Sequence, residues 1–111
     1  MARLPVQLFN PQLLPIDAVN LYTAPNGTTT VVQYLEVHNT SATPVTVTVY
    51  MTPSGELPGL ANQLFSRAIA GKQSVKITSA INYTLPSGAS VQAAADVADV
   101  VSIHGAGIES T

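Results

Sequence analysis

The stretch that decides the fold class lies at positions 45–52 and reads Val-Thr-Val-Thr-Val-Tyr-Met-Thr. Apolar residues alternate with hydroxyl-bearing ones, and a period of two is that of a strand with one face on a core. β-Branched side chains also suit a pleated, half-buried surface. The pattern therefore predicts a strand over 45–52 whose inward side chains are Val45, Val47, Val49 and Met51.

Turn signals separate this strand from further predicted strands on both sides. The preceding strand, over 28–39, is expected to turn one face inward with Val31, Leu35 and Val37, and the other outward with Val32, Tyr34, Glu36 and His38. The remaining predicted strands cover residues 20–24, 65–70, 74–79, 89–95 and 100–108. About seven strands with turns at this spacing predict an all-β chain forming a single β-sandwich, either immunoglobulin-like or jelly-roll.

The N-terminal residues differ in character, so we divide the chain into an extended, proline-rich arm at 1–17 and a sandwich domain at 18–111. Prolines at 5, 11 and 15 favour extended backbone. The arm also carries apolar side chains that a disordered tail would lack. Its expected assembly contacts are Leu4, Val6, Leu8, Phe9, Leu13, Leu14 and Ile16. The sequence leaves open whether they pack on their own sandwich or on a neighbour, and removing residues 1–16 is expected to leave the sandwich folded.

Charge is scarce, since Asp, Glu, Lys and Arg make up 9% of the 111 residues, against about 25% in an ordinary soluble domain. The four basic residues are scattered, so no nucleic-acid partner is expected. No apolar run approaches the ~20 residues of a spanning helix, so no membrane partner is expected either. The chain has no cysteine and no secretory signal pattern, which predicts synthesis in the cytoplasm.

Candidate residues for catalysis or metal binding are few. His38 and His104 have no ligand at metal-binding spacing, and Asp96 and Asp99 fit turn formation better than a calcium site. No nucleophile elbow or phosphate loop occurs. We therefore expect no enzyme activity, no catalytic residue, no cofactor and no metal.

Several sequence motifs, taken in order, resemble those of a known family. They are the strand-and-turn segment NLYTAPNGT at 20–28, the hairpin HNTSATPVTVTVY at 38–50, the turns IAGK at 69–72 and LPSG at 85–88, and the closing segment SIHGAGIE at 102–109. This order resembles small β-sandwich structural proteins of tailed-bacteriophage virions, over residues 18–109. One departure is Ala89, where the family pattern often has an acidic residue.

The resemblance implies a non-enzymatic virion protein, foremost a capsid decoration or cement protein that stabilises the particle through subunit contacts. The alternative is a tail-fibre or tail-tip module that recognises a host surface glycan or receptor, for which the four tyrosines and the loop at 53–64 would serve. The expected partners are other virion proteins, such as the major capsid protein or tail and fibre proteins. A homo-oligomer is expected, and by analogy a trimer would suit a capsid lattice. The expected location is the virion.

Overall fold

The computed structural model describes residues 3–111, which form strands and turns without an α-helix. No helix among these residues is long and apolar enough to cross a membrane. The strands are β1 (Arg3–Leu13), β2 (Val19–Thr23), β3 (Thr29–Asn39), β4 (Val45–Thr52), β5 (Gln63–Ile69), β6 (Ser74–Lys76), β7 (Thr84–Leu85), β8 (Ser90–Ala95) and β9 (Val101–Ser110). Single 3₁₀ turns at Leu60–Asn62 and Thr78–Ala80 complete the fold.

The strands form two antiparallel sheets packed face to face. The first sheet has the order β1-β9-β3-β6, with β7 also paired to β3, and the second has the order β2-β8-β4-β5. This confirms the all-β fold class and a β-sandwich architecture. The seven predicted strands correspond to β2, β3, β4, β5, β6, β8 and β9, while β1 and the short β7 are additional.

The core lies between the sheets and is built from the inward residues of each strand. In β4, Val45, Val47, Val49 and Met51 are all buried, as the alternation predicts. The facing side chains of the first sheet include Leu35, Val37 and Ile103, each no more than 1% exposed. Apolar burial between two sheets is the main stabilising term of such a fold.

In β3 the predicted facing is wrong for two residues. Val32 is fully buried and Val31 is only half-buried, because β3 carries an extra residue between Val32 and Tyr34 opposite β9. Such a bulge reverses the facing of every residue on one side of it. Leu35 and Val37, beyond the bulge, face inward as expected.

The N-terminal segment is an integral strand of the first sheet. β1 pairs antiparallel with β9 of the same chain along its length, from Arg3 opposite Ser110 to Leu13 opposite Ser102. Its register shifts twice, between Gln7 and Gln12, so the strand bends along the sheet edge. The sequence left a choice between a contact within the chain and a contact with a neighbour, and the structure has the contact within the chain.

Candidate functional site

The seven expected contact residues of the N-terminal segment divide into two groups. Leu8, Phe9 and Leu14 are at most 7% exposed and belong to the chain's own core, and Val6 packs against that core. The exposed group is Leu4, Leu13 and Ile16, with exposed fractions of 59%, 46% and 62%. Removal of residues 1–16 would therefore take three buried side chains out of the core, which argues against the expectation that the truncated sandwich stays folded.

Two glycines of β9 make room for the buried N-terminal side chains. A Cβ added at Gly105 would lie 2.8 Å from the Phe9 ring, and one at Gly107 would lie 3.2 Å from Leu8 and 2.5 Å from the Val31 carbonyl oxygen. A Cβ at Gly107 would clash with backbone, and one at Gly105 would require the Phe9 ring to shift. The Gly-Ala-Gly segment near the C-terminus is thus a site of close backbone approach.

The outward strand positions of the second sheet carry no charged side chain, and Asp96, just beyond the end of β8, borders this face. Its outward side chains are Thr46, Thr48 and Tyr50 on β4, Gln92 and Ala94 on β8, and Ser66 and Ala68 on β5. Hydroxyl pairs such as Thr48 with Ser66, at 3.1 Å, link neighbouring strands. A shallow depression of about 290 Å³ lies at one end, bordered by the exposed Ile16 and by Asp96. We call this surface the neutral face.

The loop between β4 and β5 presents two leucines to solvent. Leu57 is 86% exposed and Leu60 is 87% exposed. The loop is nevertheless shaped by its own hydrogen bonds, since the Asn62 side chain donates to the Leu57 carbonyl oxygen at 3.1 Å and the Asn62 backbone N–H donates to the Gly59 carbonyl oxygen at 3.0 Å. The loop was predicted from the sequence, but the exposure of these two leucines was not. It could have been inferred, because the leucines lie in a segment interrupted by Pro and Gly, where no strand pattern places them on a buried face.

The outer face of the first sheet has the opposite character and collects titratable groups. In the strand register Glu36 lies between Lys76 and His104, and His38 lies between Ser74 and Ser102. The two histidines are therefore diagonal neighbours, although 66 positions of sequence separate them.

Several contacts join these side chains. The His38 Nδ1 atom is 2.7 Å from the Ser74 hydroxyl oxygen, and the Tyr34 hydroxyl donates to the Glu36 carboxylate. The Lys76 ammonium lies 5.8 Å from the Tyr34 ring centroid, within the range of a cation–π contact. This open surface can offer hydrogen bonds and charge to a partner. We call it the charged face.

The metal-binding alternatives can be checked against the geometry. Among residues 3–111, no group of three or more His, Asp or Glu side chains is placed to hold a metal ion. Asp96 accepts a hydrogen bond from the Thr46 backbone N–H at 2.9 Å, and Asp99 adopts a left-handed turn conformation with φ of 64°. Both aspartates shape the turn between β8 and β9.

A polar contact ties the two sheets together at the end of the sandwich that holds the chain termini. The Tyr22 hydroxyl of β2 donates to the Glu109 carboxylate of β9 at 2.6 Å and lies 2.7 Å from the Thr30 hydroxyl of β3. Burial, and then the hydrogen bond to Glu109, raise the pKa of Tyr22 from about 10 to about 12. The phenol thus stays protonated and bridges the sheets.

The tyrosines do not share one platform. Tyr22 bridges the sheets, Tyr34 lies on the charged face and Tyr50 on the neutral face. Tyr83, 37% exposed, borders a cleft of about 220 Å³ beside Pro53 and Pro86. No family model, curated protein or solved structure matches this chain.

Proposed function

We propose that this protein is a non-enzymatic structural protein of a tailed-bacteriophage virion, acting as a capsid decoration or cement protein. In this role it binds neighbouring subunits of the particle and stabilises their contacts. Its partners are other virion proteins, foremost the major capsid protein, and further copies of itself.

The observation that supports this proposal best is the neutral face. A sheet surface of Thr, Ser, Ala, Gln and Tyr can be covered by a protein without desolvating a charge, which would cost several kcal/mol per ion. Protein interfaces are depleted in charged residues at their centre in the same way. An ordinary soluble sandwich, by contrast, places charged residues on its outward strand positions.

The exposed apolar side chains at the two ends of the sandwich supply further contact area. Leu57 and Leu60 project from one end, and Leu13 and Ile16 lie at the other. Burying such side chains against a neighbour favours association, and the preformed loop and sheet lose little conformational entropy on docking. The protein therefore presents a folded surface, in which the N-terminal segment is paired with β9, rather than an extended arm.

The test is whether the protein is part of the particle. Virions from a culture expressing an epitope-tagged copy are purified by density gradient, and the tag is measured in the particle fraction and located by immunogold electron microscopy. We expect the tag to co-migrate with particles in regular stoichiometry and to label the head. Recovery only in the soluble fraction would refute the proposal.

A matched pair of variants tests the surface. Thr48→Arg places a charge at the centre of the neutral face, and Ser102→Arg places the same charge on the charged face. We expect Thr48→Arg to abolish incorporation while Ser102→Arg retains it, with both variants folded by circular dichroism. Equal incorporation of the two variants would show that the neutral face is not the contact.

A tail-fibre or tail-tip module that recognises a host glycan is the second candidate, favoured by the Tyr83 cleft. A partly exposed tyrosine that lines a cleft can stack on a sugar ring. A glycan array with Tyr83→Ala, and Tyr50→Ala as the control, tests this function. Binding lost only in Tyr83→Ala would support it, and no binding by the unaltered protein would exclude it.

A further inference from the structure

The strand β5 is an edge of the second sheet that contains no proline. β1, at the edge of the first sheet, carries Pro5 and Pro11 and two register shifts. β2 has five residues with a shift, and β6 has three. β5 has seven residues without proline, and its single shift lies at its start, leaving Phe65–Ile69 regular. A regular, proline-free edge of this kind can pair with another strand, and its one charged side chain, Arg67, lies on the core-facing side opposite Val47.

The direction of the β5 backbone groups follows from its neighbours. The backbone N–H and carbonyl groups of Thr46 on β4 both bond to Asp96, just beyond the end of β8. Because backbone groups of successive strand residues point to opposite sides, the N–H and carbonyl groups of Val45, Val47 and Val49 point toward β5. Their partners Ile69, Arg67 and Phe65 therefore complete the internal ladder. Ser66 and Ala68 consequently direct their N–H and carbonyl groups away from the sheet, toward the open edge.

The side chains of β5 are compatible with a second copy of the same strand. Arg67 is the only charged residue of β5, and its guanidinium lies 5.7 Å from the Phe65 ring centroid. In an antiparallel pair centred on Ser66, each Arg67 lies opposite Phe65 of the other copy, so that no like charges face each other. A register centred on Arg67 would instead oppose two arginines, which is unfavourable.

From these observations we infer that two copies of this protein associate through antiparallel pairing of their β5 strands about a two-fold axis at Ser66. The second sheets of the two copies join into one continuous eight-stranded sheet, and the neutral face extends across both. A contact that uses the same strand in both partners is isologous and closes as a dimer. A three-fold arrangement would require β5 to pair with a different edge. The inference goes beyond the proposed function and holds or fails independently of it.

The first experiment is the solution mass of the full chain by light scattering, up to a concentration of ~1 mM, where even a weak contact is populated. We expect twice the 11.5 kDa of one chain. Ser66→Pro removes an outward N–H while sparing the internal ladder, and edge strands tolerate proline in such positions. It should weaken dimerisation at least about tenfold with little change in the circular dichroism spectrum. A monomer throughout, or a trimer, would overturn the inference.

A second variant tests the register without relying on proline. The chain contains no cysteine, so Ser66→Cys introduces a single thiol whose Cα should lie ~5.5 Å from its counterpart across the two-fold axis. A short bifunctional maleimide should then cross-link the protein efficiently. Ser74→Cys, on the exposed edge strand β6 of the other sheet, is the matched control and should remain uncross-linked. Equal cross-linking of the two variants would contradict pairing through β5.

Discussion

The packing of Phe9 against Gly105 offers the sharpest test of how the N-terminal strand β1 is held on the sandwich. Phe9 is 7% exposed, and a Cβ at Gly105 would lie 2.8 Å from two atoms of its ring and 3.1 Å from Leu35. Truncating a buried phenylalanine to alanine typically costs about 3–5 kcal/mol. Because the site lies on an edge strand, we expect Phe9→Ala to cost about 3 kcal/mol.

Gly105→Ala should destabilise the protein by overpacking, because the added methyl group would displace the Phe9 ring. Overpacking of this kind costs about 1–3 kcal/mol, from which the reduced entropy of the unfolded chain subtracts roughly 0.4–1 kcal/mol. In the double variant the new methyl group enters the space that the ring has vacated. The two effects should therefore couple, with the double variant about 1–2 kcal/mol more stable than the sum of the single changes predicts.

Urea unfolding followed by circular dichroism measures all three variants. The matched control combines Leu4→Ala with Gly105→Ala, because Leu4 is 59% exposed and lies on β1 away from this packing contact. We expect that pair to be additive within about 0.5 kcal/mol. In the Ser66→Pro background, where dimerisation is expected to be weakened, the unfolding midpoint of each variant should not depend on protein concentration. Two results would refute packing of Phe9 on Gly105 within one chain: additive losses of unfolding free energy for Phe9→Ala and Gly105→Ala, or an unfolding midpoint that depends on protein concentration in the Ser66→Pro background.

Three further predictions concern polar groups. The pKa of Tyr22 is raised to about 12 in the folded chain, so the contribution of this protonated phenol to stability is complete below pH ~10 and is lost as the pH rises toward 12. Between these pH values the free energy of unfolding in urea should depend less on pH in Tyr22→Phe than in the unaltered protein. An equal pH dependence in the two proteins would contradict this. Asn39→Ala removes the hydrogen bonds that a buried amide donates to the carbonyl oxygens of Thr43 (2.8 Å) and Ile69 (2.9 Å), so the unfolding free energy should fall by about 0.5–1.5 kcal/mol per hydrogen bond, and a total loss below ~0.5 kcal/mol would contradict this. The hydroxyl of Thr52 is buried without a hydrogen-bond partner in the described residues; Thr52→Val should therefore leave thermal stability unchanged or raise it, and a clear loss would reveal a partner for this oxygen.

Much of the strand layout is local and could be predicted from sequence. The alternation at 45–52 needs no partner to be recognised, because the two faces of a strand differ in environment wherever it pairs. The turns at 25–28 and 85–88 likewise depend on residues that permit left-handed backbone, such as Gly27 and Gly88 with φ of 75° and 85°. For this reason seven strands and the all-β class followed from the chain alone.

The candidate surfaces were only partly predictable. The scarcity of charged residues was evident from composition. The separation of a neutral face from a charged face, however, depends on which strands become neighbours in the sheets. His38 and His104 are diagonal neighbours because β3 pairs with β9 in one register, and no local pattern specifies that register. Leu57 and Leu60 are exposed because their loop closes on itself through Asn62 rather than folding onto the sheet.

The fold class, the approximate strands and the low charge could be predicted from the chain alone, since each depends on residue type and short-range periodicity. The structure was needed to show that the N-terminal segment is an edge strand whose side chains enter the core, that a bulge turns Val32 inward in place of Val31, and that β5 is an open edge. These features arise from pairing between distant segments. In such pairing a one-residue shift reverses the facing of a side chain, and a missing Cβ, as at Gly105, opens room for a ring.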